Sequence, residues 1–290
     1  MKRFKRIIGV VFMATSLLFL AACDANKSQG RIVPSEQSQA PASPAELKPV
    51  VSNMKPAFAV FTLSTGMVHV LAKPKSGPAD LIYQNSCSAG SQPFGIADVN
   101  FGGKLFCNDA SNRRTTIMDM SSQAELFSWN WPVDIERTPT WFIGRWQANK
   151  DVGLAAYDSA KGVFHIFNSE AKNFSLSHSF EYGGAGSSTL PLVGDWDGDG
   201  NDAVGVYRSR TKQLFLRNTL DSGMADISFG LDGNSYEIDA TPVAINLDAR
   251  TVVAMYSTST GIASFTSTDV TNSPFLFGAP KESKLAIPIR

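Results

Sequence analysis

The sequence predicts an all-β fold, a five-bladed β-propeller with about four antiparallel strands per blade, and three observations predict it. Two independent landmarks recur at nearly 50 residues, each repeat holds short alternating apolar runs divided by turn residues, and nothing in the repeat region has a convincing helical period. The first landmark is a strand-like run opening on proline, at Pro49, Pro93, Pro139, Pro191, Pro242 and Pro288, with spacings of 44, 46, 52, 51 and 46. The second is an apolar run ending at Phe61, Cys107, Tyr157, Tyr207 and Tyr256, with steps of 46, 50, 50 and 49.

The elements before the repeats read as an address. Lys2, Arg3, Lys5 and Arg6 precede an apolar run from Ile7 to Ala22, 16 residues long and short of the roughly 20 that span a bilayer. Basic head and apolar run together read as an export signal over residues 1–22. The run closes on Leu20, Ala21, Ala22 and Cys23, which resembles the bacterial lipobox. That resemblance implies that Cys23 becomes the lipid-bearing first residue of a mature lipoprotein facing the periplasm. Asp24 resembles the second-position aspartate that retains lipoproteins at the inner membrane. Residues 23–47 are rich in Ser, Gln, Ala and Pro and bury too little apolar surface to offset the entropy of ordering. They read as a flexible tether of roughly 25–30 Å reach.

Residues 48–290 hold the five units. After the second landmark come a turn and another alternating run: MVHVL from Met67, VFHIF from Val163, QLFLRN from Gln213 and IASF from Ile262. Alternation suits a strand whose two faces meet different neighbours. An aromatic closes each unit: Tyr83, Trp129, Tyr182, Phe229 and Phe277. Radial closure protects strand edges that a lone sheet would expose, and LAIPIR at 285–290 is placed to complete the ring by joining the first or the last blade. A β-sandwich with even strand spacing is the competing architecture.

In the fourth unit Gly194, Asp195, Trp196, Asp197, Gly198, Asp199 and Gly200, followed by VGVY and later by Phe229 and Gly230, resemble the FG-GAP (VCBS-like) bacterial propeller repeats. The other units share only the spacing and the apolar pattern. Carboxylates at alternating positions converge on one hard cation while glycines permit the sharp turn. Asp195, Asp197, Asp199, Asn201 and Asp202 are therefore the candidate ligands for one structural Ca2+, and calcium is also what the resemblance implies. Ala203 stands where the family commonly has a carboxylate, and Val206 where an EF-hand has its bidentate Glu. With unit three aligned on Tyr157, Trp146 falls on Trp196, while Arg145, Gln147 and Asn149 replace the three aspartates. One ion per molecule is the expected maximum.

Cys87 and Cys107 are either a disulfide, which an exported chain retains, or two buried thiols. His69 and His165 occupy equivalent strand positions, which suggests structural roles, and His178 is solitary. No HExxH, GxSxG or phosphate-binding glycine loop is present. Trp129, Trp146 and Trp196 fit the repeat frame as blade core. Trp131 and Trp141 lack aromatic counterparts and lie near Arg137 and Arg145. These four are the candidate surface for a protein or glycan partner, with an irregular local core as the alternative.

Four of the 26 basic residues lie in the first six, so residues 23–290 carry 22 basic against 26 acidic groups. That balance argues against a nucleic-acid partner, which needs a concentrated positive surface. The expected function is a lipid-anchored envelope module that binds or scaffolds a protein or glycan. The alternative is an envelope enzyme acting on polysaccharide, whose paired carboxylates no sequence motif would reveal.

Overall fold

The computed structural model describes residues 57–99, 102–135, 138–147, 150–231, 239–247, 250–266, 274–277, 284–287 and 289–290. The export signal, Cys23, the tether, the run at Pro49 and Arg137 lie outside them. The chain divides into two units, Met1–Lys48 and Pro49–Arg290, and the second carries the fold.

Twenty strands form five four-stranded antiparallel sheets, with no α-helix among the described residues. Blade one contains β1 (Phe58–Thr62), β2 (Met67–Leu71) and β3 (Leu81–Gln84). Blade two is β4 (Gln92–Ala97), β5 (Lys104–Asp109), β6 (Arg114–Asp119) and β7 (Glu125–Asn130). Blade three is β8 (Thr140–Gly144), β9 (Gly153–Asp158), β10 (Val163–Glu170) and β11 (Asn173–Glu181). Blade four is β12 (Thr189–Gly194), β13 (Ala203–Arg208), β14 (Gln213–Leu216) and β15 (Ile227–Gly230). Blade five is β16 (Thr241–Leu247), β17 (Arg250–Tyr256), β18 (Ile262–Phe265) and β19 (Phe275–Leu276).

The last strand, β20 (Lys284–Ile287), pairs antiparallel with β1, so blade one has the order β20-β1-β2-β3. Of the two partners open to LAIPIR, the first blade takes it. Tail residues and head residues thus share one sheet, and the ring is closed by backbone hydrogen bonds.

Each blade interface has its own core. Phe58, Val60 and Leu71 of blade one pack with Ile245, Ala254 and Tyr256 of blade five. Val68, Val70, Ile96 and Leu105 join blades one and two. Matching clusters join two to three, three to four and four to five. A sheet wedged between two others is covered on both faces, which is why the second strand reads as a continuous apolar run rather than an alternating one. All six residues of β9 are buried.

Cys87, in the connection after β3, is bonded to Cys107 on β5, with Cα atoms 5.5 Å apart. The bridge closes a 20-residue loop. Cys107 is also buried in the core between blades one and two, so of the two readings the disulfide holds and the pair of thiols does not. Cutting a loop of that length should cost about 3 kcal/mol. Full reduction, or Cys87→Ala, is expected to lower the melting temperature by roughly 6–12 °C for a domain of this size. An unchanged melt after reduction would show that the bridge restrains nothing.

Candidate functional site

Because every sheet is antiparallel throughout, the turns after the first and third strands of a blade fall at one end and the remaining connections at the other. The turn after β12, which carries the aspartates, therefore shares a face with the turns after β4 and β8 and with Arg290, which follows β20.

Asp195, Asp197 and Asp199 each place a carboxylate oxygen within 4.8 Å of the others. Local hydrogen bonds build the loop. Asp195 Oδ1 accepts from Gly198 N–H at 2.8 Å and Oδ2 from Gly200 N–H at 3.0 Å. Asp199 accepts from both the backbone N–H and the side-chain amide of Asn201, each at 2.7 Å. Gly198 and Gly200 have φ of 82° and 89°, left-handed values that a side chain would resist. Partial burial pushes the Asp195 carboxyl above its ordinary pKa; the Gly198 and Gly200 N–H groups oppose this, and the charges of Asp199 and Asp202 add to it. Three converging oxygens, one of them on a partly buried carboxyl that feels the charge of Asp199, suit a divalent cation.

Asp202 does not belong to this set. Its carboxylate turns the other way, accepting the Arg145 backbone N–H at 2.7 Å and pairing with Arg290 Nε at 2.8 Å without the alignment of a hydrogen bond. Both side chains are about 5% exposed. Arg290 also donates to the carbonyls of Val193 (2.6 Å) and Ile289 (2.7 Å) and to Asn246 Oδ1 (3.3 Å). Its backbone N–H donates to Ile96 O, and its carbonyl accepts from Asp98 N–H. One residue therefore ties blades two, four and five to the closing strand. The five expected ligands reduce to three carboxylates, with Asn201 bonded to one of them.

The expected partner surface is not there either. Trp131 and Trp141 are each 4% exposed and lie in the core between blades two and three. Their ring centroids are 4.9 Å apart, and Trp141 also meets Trp129, Phe94 and Phe167 within 6.4 Å. Trp131 Nε1 donates to Thr115 Oγ1 at 2.9 Å. Arg145 bridges blades instead of facing solvent freely: it pairs with Asp98 at 3.2 Å and donates to Lys150 O. The aromatic pair lacked counterparts because this one interface is filled irregularly.

Trp146 and Trp196 are core, as their shared frame indicates. Each indole folds over the glycine two residues before it and donates to a carbonyl, Phe167 O or Val204 O, at 3.1 Å. A Cβ at Gly144 would lie 2.3 Å from the Trp146 ring. Two of the histidines are bonded structurally: His165 Nδ1 meets Ser179 Oγ of its own blade at 2.8 Å, and His178 Nε2 donates across to Leu220 O of blade four at 2.7 Å. Burial holds His165 below the usual histidine pKa.

Sequence reasoning missed a groove of about 460 Å3 between blades three and four, lined by Lys161, Glu181, Tyr182, Arg208, Phe215 and Met224 among others. Its one sequence signal is Tyr182, a hydroxyl-bearing ring at a position where the next two blades carry Phe229 and Phe277.

No family model matches this chain, and no curated protein matches it. Among solved structures, it is similar to a protein of unknown function from Bacteroides caccae, at 12% identity and a TM-score of 0.41, over 80% of this chain and 73% of that one. It is also similar to the calcium-binding protein regucalcin from Agrobacterium tumefaciens, at 12% identity and a TM-score of 0.35, over 67% and 79%. The WD40 domain of Toxoplasma gondii coronin follows at 8% identity and a TM-score of 0.31, over 77% and 56%. Likenesses this distant say nothing about activity.

Proposed function

We propose that this chain is a lipid-anchored envelope propeller that binds or scaffolds a protein or glycan partner and carries one structural calcium ion in its fourth blade. The observation that carries the reading is the closed ring. A tail strand added to the first blade, together with a buried arginine linking three blades to it, makes a stiff disc whose loops are presented on two faces. Anchoring rests on the lipobox resemblance at Cys23, and the tether lets the disc stand off the bilayer.

Two measurements test the reading. Fractionation should find the full chain with membranes and the Cys23→Ser variant released from them; a variant that stays with the membrane overturns lipid anchoring. Crosslinking in intact envelopes should yield a discrete adduct of the full chain. Absence of any adduct, together with cleavage of envelope polysaccharide by the purified chain, would replace the binding role with the enzymatic one.

The calcium site has its own test. Three carboxylates without a bidentate Glu resemble the weaker calcium modules, with Kd about 10⁻⁴–10⁻³ M. At about 10 mM calcium, binding of that strength stabilises the fold by roughly 1.4–2.7 kcal/mol. The melting temperature should therefore rise by several degrees with calcium, and Asp197→Ala should abolish the rise without lowering the metal-free melt. No rise in the wild type would remove the ion from the proposal.

A further inference from the structure

We infer that the four-residue turn between β13 and β14 binds a phosphate group, held by the Thr211 backbone N–H and the side chains of Arg210 and Lys212. The inference goes beyond the binding role proposed above and does not depend on it.

One kind of turn recurs in all five blades, between the second and third strands. Four residues separate the last paired residue of one strand from the first of the next, as in Asp109↔Arg114, Asp158↔Val163 and Arg208↔Gln213. The fourth turn residue is left-handed each time: Gly66, Arg113, Gly162, Lys212 and Gly261 have φ of 66°, 52°, 73°, 53° and 76°. A left-handed residue in such a turn makes successive backbone N–H groups converge, and a concavity of that kind attracts an anionic oxygen. Three blades supply the oxygen from the residue before the turn. Asp109 Oδ1 accepts from Asn112 N–H at 2.9 Å, Asp158 Oδ1 from Lys161 N–H at 3.0 Å, and Ser257 Oγ from Thr260 N–H at 3.1 Å.

Blade four has Arg208 at that place. A guanidinium accepts no hydrogen bond, and this one donates to Gly183 O and lies over the Phe215 ring. Thr211 N–H, equivalent to the three N–H groups above, therefore has no acceptor among the described residues. Replacing acid by base also reverses the local charge. No acidic residue lies between Asp202 and Asp221, whereas Arg208, Arg210 and Lys212 fall at alternate positions. Arg210 and Lys212 are exposed, and their side chains make no ion pair or hydrogen bond among the described residues. The turn of blade one, residues 63–66, lacks the acceptor too, but it carries no charged residue.

Neighbouring connections hold the blade-four turn in place. Ser209 donates its backbone N–H and its hydroxyl to Ser188 O at 2.9 and 3.1 Å, and Lys212 O accepts Leu231 N–H at 2.8 Å. These bonds fix the backbone and leave the Thr211 N–H and two cations for a ligand. Two cations without an acid beside them exceed the charge of a carboxylate. A phosphate group brings up to two charges and enough oxygens for all three donors. The turn lies on the face opposite the aspartate loop, because β13 is the second strand of its blade and that loop follows the first.

The test titrates the full chain, purified in an uncharged detergent, with three probes followed by calorimetry: glucose 6-phosphate, glycerophosphoglycerol as the soluble headgroup of an anionic lipid, and acetate. At least one phosphate probe should saturate, with acetate at least about tenfold weaker, the loss expected for a charge-assisted hydrogen bond. Tighter binding of the monoester makes a phosphorylated sugar the source of the group, and a diester bound as tightly or more tightly makes it a lipid headgroup. Arg210→Gln combined with Lys212→Gly should weaken phosphate by at least about tenfold. This variant should melt no lower than the wild type, because glycine takes a left-handed φ without strain. Lys172→Gly is the control: Lys172 is an exposed lysine with φ of 64° in the turn between β10 and β11, on the other face, and its loss should leave binding unchanged. No saturation by either phosphate probe, acetate bound as tightly, wild-type affinity in the double variant, or an equal loss in Lys172→Gly overturns the inference.

Discussion

Arg290→Ala is expected to destabilise the propeller by about 3–5 kcal/mol, among the largest single losses this fold can show. The reason is what the substitution strands. Arg290 and Asp202 are each about 5% exposed, and the carboxylate's other assigned partner is one backbone N–H from Arg145. Without the guanidinium, Asp202 holds a charge in a dry site, the Val193 carbonyl loses the N–H that Arg290 gives it, and the Ile289 carbonyl is left with the Asn246 side-chain amide. Arg290→Lys keeps the charge but not the fork, so it should lose part of the stability. Replacing both partners together, Arg290→Met with Asp202→Leu, should recover much of the loss because no charge is then left buried. Urea unfolding of the four proteins decides it. An Arg290→Ala midpoint within error of the wild type would mean that the pair is solvated and the ring holds without it.

Trp141→Ala should cost a similar 3–5 kcal/mol, the usual range for truncating a large buried aromatic. Trp141 sits among Phe94, Trp129, Trp131 and Phe167, across the seam between blades two and three. Its removal opens a cavity bounded by β-sheets that cannot collapse freely. Trp141→Phe should lose distinctly less. The same variant separates the two meanings of an unmatched tryptophan: a surface anchor would leave the melt untouched and change the envelope adduct, whereas a core residue lowers the melt. Unchanged stability in Trp141→Ala would restore the surface reading.

Gly194 to Gly200 were legible because a metal-type loop is local: alternate aspartates and permissive glycines act over seven residues, and the fold adds only their convergence within 4.8 Å. Asp202, two positions further on, looked like part of the same pattern. Its direction is set by a residue 88 positions away, and no local spacing records that. Trp131 and Trp141 take the second of their two expected places, an irregular local core, because their departure from the repeat marks an interface packed by its own aromatic cluster and not a free surface. Tyr182 was noticed as a blade-closing ring, while its unpartnered hydroxyl depends on what blade four brings against it.

By itself the sequence determined the all-β class, five repeats, the four-strand grain of each and the buried frame of its aromatic residues. Those properties come from periodicity and from the covering of both faces of a sheet, which every blade repeats locally. The tertiary structure alone decided that β20 closes on blade one, that Arg290 and Asp202 share a buried charge pair, and that a groove opens between the third and fourth blades. Each of these joins residues from separate repeats, and a ring brings together parts of the chain that no period relates.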